Sequence, residues 1–363
     1  MKTTNHTTVL FQGFALLALA ACSDSSTQSG ISDVDLSFSD AAVENASEVV
    51  ITVERITFRR NADDDVENAD DENVDDENAD DENADDENAD NETGDIVVET
   101  FTNSEDGTEA ETFTLDLLTV QGEDRRLVVD SVELPVGEYS NMLIEVVGDS
   151  ENGNYVVDAE GTKPLKVPSD ILKLGSFTID PTSKQSMVVE FGLQQSMTYN
   201  PGPDRYILKP RGVRIISVDQ AALVTGTIDH TSLQANSSCA ALELGGTAGS
   251  VYLYEGHDIA QNLGDNFDPE LVSNENFVAP VASASLKNDT FSLSYLESGD
   301  YTLAVSCHDG IDDADALEEI TVPNPADEII EFTIAVGQTL ECSIPLTAEG
   351  CNLADAGTTA DNN

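Results

Sequence analysis

From residue 33 onward the hydrophobic segments of this chain are short and β-patterned, with apolar side chains alternating along the first of them, and that pattern points away from a helical core. VDLSFSD (34–40) and VVITVERITF (49–58) alternate in this way and are rich in β-branched residues. Further strands are predicted at 95–101, 112–118, 139–147, 154–158, 176–180, 186–193 and 206–218. Each is short and bounded by Gly, Asn, Asp or Pro, which predicts an antiparallel sandwich rather than helix-linked parallel strands. Helical signals are confined to a turn or two at 115–122 and 168–174.

A second series of strands opens near GTID (226–229) and continues at 250–256, 278–286, 290–296, 301–307, 318–322, 329–336 and 339–346. The expected fold class is therefore all-β, with two β-sandwich domains in tandem at 33–218 and 222–347 and a flexible tail at 348–363. One device occurs in both: Leu134-Pro135-Val136-Gly137-Glu138-Tyr139 and Leu296-Glu297-Ser298-Gly299-Asp300-Tyr301. The glycine permits a tight turn, and the tyrosine starts a core strand while its hydroxyl caps the turn, as in a tyrosine corner.

The pentad Ala/Val-Asp-Asp-Glu-Asn repeats through Ala69–Asn73, Val74–Asn78, Ala79–Asn83 and Ala84–Asn88. A period of five fits neither a helix face nor a strand face, and one small apolar side chain per repeat cannot offset the entropy of ordering. A disordered acidic insertion at 62–94 is the expectation. Residues 63–92 hold only 18 of the 71 Asp and Glu, so the formal charge of −56 belongs to the whole chain. Such acidity repels nucleic acid and anionic headgroups and reads as solubility in a salt-adapted organism. A cation-binding surface is the alternative, because carboxylates and Asn carbonyls are hard oxygen ligands for calcium. The pentads lack the glycine turns that fold such ligands around one ion.

Lys2, the apolar run VLFQGFALLALAA (9–21) and the small residues before Cys22 describe a cleavable signal segment at 1–21, too short to span a membrane. Leu19-Ala20-Ala21-Cys22 resembles the bacterial lipobox, in which the cysteine is acylated and anchors the chain on a bilayer. The Ser-rich stretch 22–32 reads as a tether, and Ser23 after the cysteine implies outer-membrane sorting, facing periplasm or cell surface. Beyond that lipid anchor, an envelope glycan, protein or cation is the expected partner, and the chain is expected to be monomeric. The remaining cysteines are Cys239, Cys307, Cys342 and Cys351, and an even number in an exported chain favours disulfides. Three pairings exist; Cys239–Cys307 beside predicted strands, with Cys342–Cys351 closing a short loop, is the favoured one.

LSFSDAAVENASEVVITVERITF (36–58), TLDLLTVQG (114–122), LPVGEYSNMLIEV (134–146), LKVPSD (165–170) and YILKPRGVRII (206–216) together resemble a bacterial lipoprotein family known as domain of unknown function 4382. GTID, VYLYEG (251–256) and SGDYTLAV (298–305) are similar to small sandwiches of the carboxypeptidase regulatory type. The resemblance implies prealbumin- or Ig-like β domains and an envelope location, and no reaction.

No H-E-x-x-H, G-x-S-x-G or G-x-x-x-x-G-K occurs in the chain, so no catalytic residue or cofactor is assigned and the protein is read as a non-enzyme. His257-Asp258 and His308-Asp309 both follow predicted strands; meeting at one end of the second sandwich, they could bind zinc with Asp312 or Asp313. Surface His-Asp turns are the plainer reading. Asp149–Asn154 echoes a calcium loop but is read as a hairpin turn, and Asp265–Asp268 carries the same ambiguity. Tyr252 and Tyr254 share a strand face and read as packing rather than a glycan platform. The expected role is structural, adhesive or binding, with a calcium- or carbohydrate-binding module, its loops at the sandwich ends, as the alternative.

Overall fold

A computed structural model describes residues 30–41, 46–60, 94–102, 108–148, 153–240, 248–267, 278–309, 312–315, 320–346 and 350–354. The signal segment, Cys22 and the acidic pentads lie outside these residues. The described chain is all-β, with only short helical turns such as Leu117–Thr119, Pro168–Asp170 and His230–Gln234.

The first unit has two main sheets and a two-stranded ribbon of Phe101–Thr102 with Glu109–Ala110. One sheet is four-stranded, in the order Val213–Ser217, Lys184–Gly192, Ile31–Ala41, Arg126–Pro135. The other is built around the long strand Glu48–Arg60, flanked on one edge by Gly137–Val146 and Tyr155–Asp158 and on the other by Ile96–Val98 and Phe113–Asp116. Strand alternation drives Val34, Leu36 and Phe38 into the core between the sheets, where they meet Ile51, Ile56, Ile144, Val189 and Phe191. The second unit packs the sheet of Thr290–Leu296, Ala222–Ile228, Thr339–Ile344 and Asn352–Leu353 against that of Ala282–Ser285, Ala248–Glu255, Gly299–Asp309 and Ile329–Ile334.

Both tyrosine corners form. Tyr139 donates to the Pro135 carbonyl at 2.9 Å and Tyr301 to the Glu297 carbonyl at 2.9 Å, each closing its own turn. Cys239 is bonded to Cys307 and Cys342 to Cys351, the favoured pairing.

Several expectations are corrected. The strands are not purely antiparallel: Ile31–Ala41 runs parallel to Lys184–Gly192, and Ala222–Ile228 parallel to Thr339–Ile344. Parallel neighbours cannot be joined by a tight turn, so no local pattern announces them. The strands on either side of 149–154 do not form the expected hairpin, and residues 149–152 lie outside the described residues. Gly137–Val146 and Tyr155–Asp158 follow one another along the same edge of Glu48–Arg60, and Asn154 fills the gap. Its side chain accepts from the Thr52 amide at 2.8 Å and donates to the Val147 carbonyl at 2.7 Å, replacing the missing ladder. The second unit also extends past 347, because Cys351 is held by its disulfide and Asn352–Leu353 pairs with Leu340–Glu341.

Candidate functional site

Adjacent residues of a strand face opposite ways, so Ser37, Ser39, Val188, Glu190, Arg214 and Ile216 line the outer face of the first sheet. An outer face ordinarily meets water. Here Ser39 is 0% and Glu190 1% exposed. The 120–124 loop lies on Ser39, whose hydroxyl donates to the Asp124 carbonyl at 2.8 Å, and the second unit closes over the face beside it. The peg that seats it is Tyr295. A register irregularity between Ala222 and Val224 and a left-handed backbone at Tyr295 (φ 50°) turn this ring out of its own sheet. It packs on Val188 and Ile216, and its hydroxyl donates to the Glu123 carbonyl at 2.8 Å.

Around the peg are charges. Glu190 stands opposite both Ser39 and Arg214 on neighbouring strands. Arg214 donates across the junction to the Ser294 carbonyl at 3.2 Å, while its Nε and the Glu190 Oε2 are buried without hydrogen-bond partners. Burial pushes the Glu190 carboxyl up to about 7, against the pull of the Arg214 guanidinium and the Ser39 hydroxyl. On the inner face of the same sheet Asp40 is fully buried, and neither of its carboxylate oxygens has a hydrogen-bond partner. Burial first, then Glu190 and Asp116, hold it well above the usual carboxylate range. Gln121 and the Leu193 amide oppose this without reaching hydrogen-bonding geometry.

A second patch seats the other end of the junction. Arg211 donates to the carbonyls of Asn266 (2.8 Å) and Phe267 (3.0 Å), and Gln195 to that of Pro280 (2.7 Å). Asn266 is fully buried and donates through its side chain to Asp312 at 2.8 Å; Tyr252 donates to the same carboxylate at 2.6 Å. The loop read ambiguously at 265–268 thus begins as an interior strut; Asp268 lies outside the described residues. Tyr252 and Tyr254 are fully buried, as packing predicts.

The His-Asp candidates do not come together. Glu255 pairs with Tyr301 and Ala248 with Asp309, so His257 lies beyond one end of the sheet and His308 at the other. Seven residues at about 3.3 Å each separate them by roughly 23 Å. His257 contacts the Phe332 carbonyl at 3.0 Å, the Asp258 amide donates to the Glu331 carboxylate at 2.6 Å, and His308 lies 3.3 Å from the Ser250 hydroxyl. Ser250 is only 6% exposed. Among the described residues no group of three or more His, Cys, Asp or Glu is placed to hold a metal ion.

Both units also contribute to a cleft of about 810 Å³, walled by Gln121–Glu123 and floored by the outer face of the sheet holding Ala222–Ile228. Register places Ser292, Thr225 and Glu341 in one cross-strand row and Thr290, Thr227 and Ser343 in the next. Neither the cleft nor the buried carboxylates carried a signal in the sequence, because the cleft and the cover of Glu190 need the contact between units and the burial of Asp40 needs the packing of distant strands. Only the acidic residue at an outward position, Glu190, and the tyrosine at an irregular one, Tyr295, hint at it.

No helix among the described residues is long and apolar enough to cross a membrane. No curated protein matches the chain. Solved structures similar to it include the Bacillus anthracis TIE protein (11% identity, 86% of this chain and 34% of that one, TM-score 0.18) and a Streptococcal ancillary pilin (10%, 86% and 67%, 0.17). A candidate cell-adhesion protein from Bacteroides fragilis NCTC 9343 gives 10% identity over 92% of this chain and all of that one, with a TM-score of 0.20. The chain spans about a third of the TIE protein's length, and at such scores these likenesses carry no argument. Residues 32–210, nearly the whole of the first β unit, match the family model described as Domain of unknown function (DUF4382).

Proposed function

We propose that this chain is a member of that family, anchored by lipid in the bacterial envelope, where its two coupled β units serve a structural or adhesive role. The observation that carries the placement is the pair of disulfides in the second unit, since such bonds persist in oxidising compartments outside the cytoplasm. Leu19-Ala20-Ala21-Cys22 supplies the means of attachment. The buried clamp around Arg211 and Asn266 supplies the stiffness that a load-bearing element needs. The test is metabolic labelling with palmitate followed by membrane fractionation. Label should enter the wild-type chain and be lost from Cys22→Ala. An unlabelled wild-type chain in the soluble fraction would overturn the anchor.

The hydroxyl rows of the 810 Å³ cleft favour a second reading, a neutral polyhydroxylated ligand such as an envelope glycan. A glycan-array screen checks it: saturable binding that Thr225→Val with Thr227→Val abolishes supports a carbohydrate module, and a blank array rejects it.

A further inference from the structure

The junction between the units is a place where a proton can do work. Glu190 is 1% exposed, beneath a cover made by the 120–124 loop, which accepts from its neighbour Ser39, and by Tyr295 of strand Thr290–Leu296. The groups facing it are few. Ser39 and Arg214 flank it on its own sheet, and Tyr295 comes down on it from the second unit. Arg125 approaches the Tyr295 hydroxyl from the 121–125 loop. Asp40 and, beyond it, Asp116 lie behind the sheet and are acidic. Glu255 and Glu297 share a cavity wall with Arg214 on its far side. Arg214, the cation in register with Glu190, spends a donor on Ser294 instead. The buried Oε2 is left without a hydrogen-bond partner.

We infer that Glu190 is a proton-controlled latch between the two units: protonated it lets the second unit seat on the first sheet, and ionised it loosens that seat. The covalent connection suits a hinged seat, since only the short turn Val218–Gln220 and Ala221 separate strand Val213–Ser217 from strand Ala222–Ile228. Undocking would return Glu190 to water, where its carboxyl titrates near the ordinary glutamate value. The ionised form thus gains from opening and the neutral form does not. The latch is independent of any lipid anchor.

The test is hydroxyl-radical footprinting of the Tyr295 ring, which the docked junction buries, in the full mature chain from pH 5 to pH 8.5, alongside Glu190→Gln. In wild type the labelling of that ring should rise roughly tenfold or more between pH 5.5 and pH 8. In Glu190→Gln it should stay flat. If the variant fails to fold, small-angle scattering of the wild-type chain across the same range gives the readout, with a larger radius of gyration expected above pH 7. Wild-type labelling independent of pH, or an unchanged pH response in Glu190→Gln, overturns the proposal.

Discussion

Tyr139 and Tyr301 show how much one side chain settles in a β unit. Each ring fills core volume while its hydroxyl closes a turn four residues upstream. Replacing either by Phe keeps the packing and orphans one carbonyl, and should cost about 1 kcal/mol in urea unfolding. Asp40 teaches the opposite lesson. An acid held above its ordinary value in the folded state favours folding while protonated. That contribution is complete at low pH and is lost as pH rises through the folded value. Asp40→Asn should therefore raise the calorimetric unfolding temperature at pH 8 and leave it nearly unchanged at pH 4. A lower midpoint at pH 8 would mean that the ionised carboxylate is a favourable partner after all.

At the scale of strands and turns, what depends on neighbours in sequence was legible. Alternation located the strand at 34–40, the helical turns at 117–119 and 168–170 fell inside the two predicted stretches, and the repeated Gly-acid-Tyr device marked both corners. What depends on distant segments was not. The parallel pairing of Ser39 with Glu190 spans most of the first unit. The separation of His257 from His308 follows from an antiparallel register that two similar dipeptides cannot reveal. Asn154 is an instructive failure, since a residue read as part of a hairpin turn proved to be a ladder substitute. Asn154→Ala removes both of its bonds inside a buried strand edge. It should destabilise the first unit by about 2 kcal/mol, measured by chemical denaturation.

Across the whole molecule, a formal charge of −56 loads every compact state with self-repulsion. Added monovalent salt screens that repulsion within a Debye length of about 10 Å at 0.1 M. The unfolding midpoint should therefore climb by several degrees between about 0.01 M and 0.5 M sodium chloride. A flat response in scanning calorimetry would show that the fold's ion pairs, such as Arg55–Glu145 and Lys184–Asp35, weaken by as much as the repulsion does.

The parallel closures also set a timetable. A chain made from its N-terminus delivers the strand beginning at Ile31 long before Lys184–Gly192, the neighbour that completes its ladder. Ala222–Ile228 waits in the same way for Thr339–Ile344. Each unit must hold an open edge throughout its own synthesis, exposed to stray pairing with other chains. Versions stopped short of residue 184 or 339 should accordingly aggregate rather than fold.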